Sequence, residues 1–205
     1  MGGAFNVLAN TLIAGSAVAG VIIAWNGLHT WKKQLFWQED TDLAKRALMA
    51  VYRYKDSIYS VRHPAMFNVE MQLEVDEQEI SGKDERSKGV VKAYANRWAK
   101  HTQQRNELDA VILECDAIWG DEFRKLVSPL KALEHELFVY VQLHLDAYHR
   151  TDTELAKDYA EILKKRRDIL YDLMDDEKDE FRKDFLNSLS PIEDFLRKKL
   201  GRNSG

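Results

Sequence analysis

The feature that most constrains this chain is the uneven placement of its charge. Residues 1–31 contain no Asp, Glu, Lys or Arg, so all 30 basic and all 34 acidic side chains lie in residues 32–205. Within the uncharged part, the stretch 4–25 is almost entirely apolar. A helix of that length would span about 33 Å, which matches a hydrocarbon core of about 30 Å. The sequence therefore predicts a transmembrane helix over 4–25 and a strongly charged domain after it.

The flanks of this predicted span indicate its orientation. No basic residue precedes it, which disfavours a secretory signal peptide. Lys32 and Lys33 follow it, and the positive-inside rule places that side in the cytoplasm. Trp25, Trp31 and the two lysines are predicted to anchor the helix at the membrane interface. We therefore expect a single-pass membrane protein with its N-terminus outside and its C-terminal domain in the cytoplasm.

Polar and small residues repeat at helical spacing within the predicted span. They form a stripe of Asn6, Asn10, Ala14 and Ala17 and a second ridge of Gly15, Ser16, Ala19 and Gly20. Small residues let helices approach closely, and an amide that faces lipid is costly. We predict that the span self-associates through these residues. Its Asn face either lines an aqueous pore or belongs to a simple anchor with the amides near the headgroups.

The rest of the chain reads as helix. Apolar residues recur every three or four positions, the period of an amphipathic helix. We predict an all-α fold with a cytosolic bundle of about four long helices. A membrane-proximal linker and long helix cover 26–63, an acidic loop covers 64–89, and the helical bundle covers 90–201. Within the bundle we expect helices to begin at Pro129 and Pro191, because proline suits the first helical turn.

The sequence offers little chemistry for catalysis, so we predict no enzyme activity, cofactor or metal site. Paired Glu-x-x-His turns and a Gly-rich phosphate loop are both missing from the sequence. The one cysteine, Cys115, lies on an apolar seam and is expected to be a core residue. A pI of about 5.9 does not suggest a nucleic-acid partner. The densest basic cluster, residues 164–167, is either a solvated surface or a contact with anionic lipid.

Three short stretches carry a resemblance to a known group. They are Trp31-Lys32-Lys33-Gln34-Leu35, Asp42-Leu43-Ala44-Lys45-Arg46-Ala47-Leu48 and Val61-Arg62-His63-Pro64. In this outline the chain resembles small bacterial single-pass proteins with a cytosolic, divergent HEPN-like helical bundle, and it is similar to the membrane accessory family of type VI-B CRISPR systems. The resemblance implies a ring-shaped pore in the bacterial inner membrane that strengthens antiviral defence, with Asn6 and Asn10 lining it. Active HEPN ribonucleases space their Arg and His further apart than Arg97 and His101 stand here, so no catalytic residue is carried over.

These observations lead to one expected function and two alternatives. We expect an oligomeric inner-membrane protein that forms a pore or perturbs the membrane in phage defence, with the lipid bilayer and further copies of itself as partners. The first alternative is a membrane-tethered scaffold that recruits a cytosolic protein through the acidic loop. The second is a tethered HEPN-like ribonuclease that uses Arg97 and His101.

Overall fold

The fold was obtained as a computed structural model. It describes residues 2–72, 83–150, 153–175 and 177–201, with side chains from residue 24 onward apart from 83, 84, 150 and 153. The described residues form helices and connecting turns, with no strand among them, so the all-α prediction is confirmed. In chain order the helices are α1 (Gly2–Arg62), α2 (Asn68–Met71), α3 (Lys83–Trp119), α4 (Glu122–Leu145), a π-helical turn (Asp146–Arg150), α5 (Thr153–Lys164) and α6 (Glu180–Lys199).

Helix α1 is continuous through the region 26–62, where we predicted a membrane-proximal linker and a long helix over 26–63. The sequence there has no proline, and Gly27 does not end the helix. The helix stops at Arg62 because Pro64 disfavours helical geometry in the preceding residue. The chain divides into two compact units, Met1–Asp42 and Leu43–Gly205.

The second unit is a helical bundle with one apolar core. In its part of α1, apolar residues recur every three or four positions: Leu43, Ala47, Val51, Tyr54 and Ile58 are buried, and Leu48 is half-buried. Helix α4 packs against α3 and α6. The core continues through residues of these helices and of the segment after α5, including Leu108, Ile112, Cys115, Leu137, Val141, Leu170, Phe181, Phe185 and Ile192.

Both prolines that we predicted as helix starts lie inside helices. Pro129 is within α4 and Pro191 is within α6. Each lies in the second turn or beyond, where proline removes one backbone donor, and packing of the flanking apolar residues holds the helix together. The true start of α6 is Asp179, whose side chain accepts a hydrogen bond from the backbone N–H of Arg182 at 2.9 Å.

Two further boundaries differ from the prediction. The predicted acidic loop over 64–89 contains α2 and the first residues of α3, while 73–82 lie outside the described residues. The apolar periodicity after Thr153 favours a helix as far as Leu173, but α5 ends at Lys164. Its basic residues therefore follow a helix C-terminus, where the helix dipole favours positive charge. The irregular chain after α5 is held by Arg62, whose guanidinium donates to two of its backbone carbonyl oxygens. In a continued helix those carbonyl oxygens would instead accept hydrogen bonds from the helix backbone.

Candidate functional site

The first unit exposes a run of large apolar side chains along α1. We call residues 25–37 the aromatic segment. Trp25 is 71% exposed, Trp31 59% and Trp37 62%, and the other large members are Leu28, Leu35 and Phe36. Five of these side chains fall within one arc of about 140° around the helix, and only Trp37 lies outside it. An exposed apolar stripe of this kind is typical of a surface that contacts lipid or another protein.

Two exposed lysines sit among these aromatic rings. Lys32 and Lys33 follow Trp31 directly, and both are exposed. Tryptophan and lysine side chains share the interface between hydrocarbon and water, because each has an apolar body and a polar end. The predicted interface anchors are thus accessible side chains of one helical segment.

The predicted pore-lining or helix-interface residues precede this segment. Helix α1 includes them in its backbone, but the side chains of Asn6, Asn10, Ala14, Gly15, Ser16, Ala17 and Ala19 lie outside the described residues. Gly20 is exposed, and a Cβ built on it would meet no atom within 4 Å. Most of the predicted span, 4–25, likewise lies outside the described side chains.

Among the residues that the structure describes, no helix combines the length and the apolar character needed to cross a bilayer.

The bundle unit contains a buried polar cluster, which we define as Tyr54, Ser57, His101 and Glu134. His101 Nε2 lies 2.8 Å from one Glu134 oxygen, and the Tyr54 hydroxyl donates to the other oxygen at 2.8 Å. His101 Nδ1 lies 2.8 Å from Ser57 Oγ. Burial alone would raise the pKa of Glu134, but the hydrogen bonds from His101 and Tyr54 outweigh it and leave that pKa lowered. Glu134 is therefore an ionised carboxylate in the interior.

The geometry of the polar cluster is compatible with either a neutral or a protonated His101. Ser57 Oγ carries one hydrogen, and it lies 2.7 Å from the Tyr54 carbonyl oxygen as well as near His101. With neutral His101, the serine donates to Nδ1 and Nε2 donates to Glu134. With protonated His101, Nδ1 donates to the serine, which donates to the Tyr54 carbonyl. Rotation of one hydroxyl hydrogen thus links the two states without movement of heavier atoms.

A cavity of about 400 Å³ opens beside this cluster. Glu134 lines it together with Trp98, Arg105 and Phe138, and Arg105 Nη1 is 3.6 Å from a Glu134 oxygen. Lys131, also in the lining, is ion-paired with Asp109. The cavity wall therefore carries compensated charges. No group of three or more metal-ligating side chains occurs among the described residues.

Arg97 and His101, the pair that we considered for RNA cleavage, belong to different hydrogen-bond networks. The Arg97 guanidinium donates to the carbonyl oxygens of His63 and Ala65 and to the Glu70 carboxylate, each at 2.7 Å. It therefore holds the Pro64 turn and α2 against α3. His101 is 1% exposed and is bonded within the polar cluster. Both side chains are therefore hydrogen-bonded within the bundle, and each has a structural role there.

Arg62, in the stretch Val61-Arg62-His63-Pro64, is a buried cation for which the sequence predicted no role. It is 1% exposed and pairs with Asp179 at 2.8 Å. Its guanidinium also donates to the carbonyl oxygens of Ile169 and Tyr171, each at 2.8 Å. Burial opposes ionisation of Asp179, but its backbone and Arg62 hydrogen bonds leave the pKa of this carboxyl lowered. The end of α1 is thus locked to the chain between α5 and α6. Nothing in the local sequence distinguishes Arg62 from a surface arginine.

Cys115 is buried in the core, as expected. Burial, with the neighbouring acids Glu114 and Asp116, raises the pKa of its thiol to about 12. A thiol that stays protonated at neutral pH is a poor nucleophile.

Comparisons of this chain with protein families, curated proteins and solved structures found no match.

Proposed function

We propose that this chain is a single-pass protein of the bacterial inner membrane that assembles into a homo-oligomer and perturbs the membrane in antiviral defence. The observation that carries the proposal is the aromatic segment, whose large apolar side chains are exposed directly after a stretch with no charged residue. Its N-terminus lies outside, and its bundle lies in the cytoplasm.

Insertion into a bilayer gives the exposed apolar side chains an apolar environment. Full burial of a Leu or Phe side chain stabilises by about 1.5–3 kcal/mol. Leu28, Leu35 and Phe36 are all exposed in the first unit, so lipid contact removes a large unfavourable surface. Lys32 and Lys33 extend to the headgroups on the cytoplasmic side, consistent with the positive-inside rule.

Self-association follows from the composition of the span. Asn6 and Asn10 share a helical stripe, and the ridge from Gly15 to Gly20 is made of small residues. In hydrocarbon an amide needs a hydrogen-bond partner, which a second copy of the same helix supplies. One helix cannot enclose water, so a pore requires several copies around a common axis.

Leakage from vesicles tests this proposal. Full-length protein reconstituted into dye-loaded vesicles should release the dye, and the Asn10→Leu variant should not. The matched control is Thr11→Leu, which removes a neighbouring polar side chain that lies off the Asn stripe. Equal leakage from wild type and Asn10→Leu would contradict the role of this face.

A tethered scaffold is the second candidate, and exposed apolar residues within the predicted acidic loop over 64–89 favour it. Phe67 is 63% exposed and Val69 81% exposed, next to and within the short helix α2. The double variant Phe67→Ser, Val69→Ser separates the candidates. A scaffold loses a cytosolic protein that copurifies with wild type, whereas a pore still releases dye.

A further inference from the structure

A second cavity, of about 450 Å³, lies between α4, the π-helical turn and the chain after α5. We call it the tyrosine cavity, because Tyr140, Tyr148 and Tyr171 all line it. The π-helical turn begins where α4 ends, and the backbone N–H of Asp146 is shared between the carbonyls of Gln142 and Leu143. Such π turns occur frequently at functional sites, since they re-aim the side chains on either side.

Two cations stand at the wall of the tyrosine cavity. Lys164 is the last residue of α5, and Arg166 follows in a turn closed by its backbone N–H to the Leu163 carbonyl at 3.0 Å. Lys164 is ion-paired with Glu161 on the surface. Arg166 has no acidic partner among the residues that the structure describes, whereas its neighbour Arg167 pairs with both Glu136 and Asp184.

Among the described residues of the lining, one carboxylate is present, and it is already engaged. Asp168 accepts hydrogen bonds from the Tyr140 hydroxyl at 3.2 Å and from the backbone N–H of Leu170 at 3.1 Å. It therefore competes weakly for Arg166. The described part of the cavity wall carries two cations and one carboxylate, and the Tyr148 and Tyr171 hydroxyls add hydrogen-bond donors.

His144 completes the polar wall. Its ring centroid lies 5.0 Å from that of Tyr148 and 5.8 Å from that of His149. Burial, and then the neighbouring His149, lower the pKa of His144, so the imidazole is neutral near pH 7. A bound anion would favour its protonated form, which makes the His144 ring a reporter of occupancy.

We propose that the tyrosine cavity binds a phosphate group, with Arg166 as its main cation. A guanidinium suits a phosphate because it offers several donors in one plane, and phenol and imidazole donors complete the set. The phosphate belongs either to a small soluble phosphate ester or to the headgroup of an anionic lipid. This inference is independent of the proposed pore, since every residue in it lies in the bundle unit.

The test uses full-length protein in a neutral detergent and follows the ring resonances of His144 by NMR. The soluble probe is glycerol 3-phosphate, and the lipid probe is short-chain phosphatidylglycerol in mixed micelles, with phosphatidylcholine as its neutral reference. Saturable shifts of His144 with either phosphate probe, but not with phosphatidylcholine, are expected, and the probe that binds identifies the source.

Two charge-matched variants decide whether the site is specific. Arg166→Gln should weaken binding at least about tenfold, as expected for the loss of a charge-assisted hydrogen bond. Lys165→Gln removes the same charge from an exposed neighbour outside the cavity wall and should change affinity less than about twofold. Arg166→Lys should restore part of the affinity. Equal loss in Arg166→Gln and Lys165→Gln, or no shift with either probe, would overturn the proposal.

Discussion

Two stretches of helix α1 place their apolar side chains in opposite environments. In residues 43–62, the apolar stripe is buried in the bundle core and the terminal Arg62 is enclosed by an acid and two carbonyl oxygens. In the aromatic segment, three tryptophans stand exposed. Since helix propensity alone rarely stabilises a helix, the first stretch draws its stability from the same chain. The second needs an external partner, which in our account is lipid and further copies.

The largest effect in this comparison is expected at Arg62. The Arg62→Ala variant leaves Asp179 buried without its cation and frees two carbonyl oxygens. Because breaking a buried ion pair leaves an uncompensated charge, the free energy of unfolding should fall by about 3–5 kcal/mol. Denaturant unfolding of the full-length protein, followed by circular dichroism, measures it.

The control for Arg62 is Arg53, which pairs with Glu107 on the surface at 3.3 Å. Arg53→Ala should change the free energy of unfolding by less than about 1 kcal/mol. Similar losses in the two variants would show that Arg62 is not the anchor of the bundle.

The next effect is expected at Glu134. Glu134→Gln keeps the shape of the side chain but removes the carboxylate that accepts from His101 and Tyr54. Hydrogen bonds to charged groups contribute about 1.5–3 kcal/mol, so a loss of about 2 kcal/mol is expected at neutral pH.

The same variant should also alter the acid sensitivity of the fold. The pKa of Glu134 in the folded protein is lowered from the ordinary value of 4.5. Its stabilising contribution is therefore complete above that value and is lost as pH falls through the folded pKa. Wild type should lose stability faster than Glu134→Gln below pH 4.5, and parallel curves would contradict this assignment.

The smallest effect on bundle stability is expected from the aromatic segment. Replacing Trp25, Trp31 and Trp37 together by serine should change the free energy of unfolding of the bundle by less than about 0.5 kcal/mol, the usual range for surface substitutions. The same triple variant should stay in the membrane fraction after a high-salt wash, because it keeps the span over 4–25. A large loss of bundle stability would show that these rings pack within the chain.

Local patterns predicted the helices well, while tertiary contacts determined where several of them end. The spacing of Leu43, Val51 and Ile58 matched the buried face of α1, because a 3.6-residue period is visible in sequence. The helix starts that we predicted at Pro129 and Pro191 are wrong, because packing keeps a helix intact around an internal proline. The stop at Lys164 depends on Arg62, which is more than a hundred residues away in sequence.

The buried polar groups were harder to predict than the helices. His101 and Arg105 interrupt the apolar positions of α3 with polar side chains, and this is the one signal in the sequence for the polar cluster. Their partners come from other helices: Tyr54 and Ser57 from α1, and Glu134 from α4. Pairing between helices leaves no periodic trace in one sequence. The tyrosine cavity likewise depends on a turn after α5 where periodicity had suggested continued helix.

The most direct test of the account is the mass of the full-length protein in detergent, measured by native mass spectrometry. Our account predicts one closed assembly of several subunits, because a single span per chain encloses an aqueous path only when several copies surround it. A monomer or a dimer would contradict the pore and leave the tethered scaffold as the function to pursue.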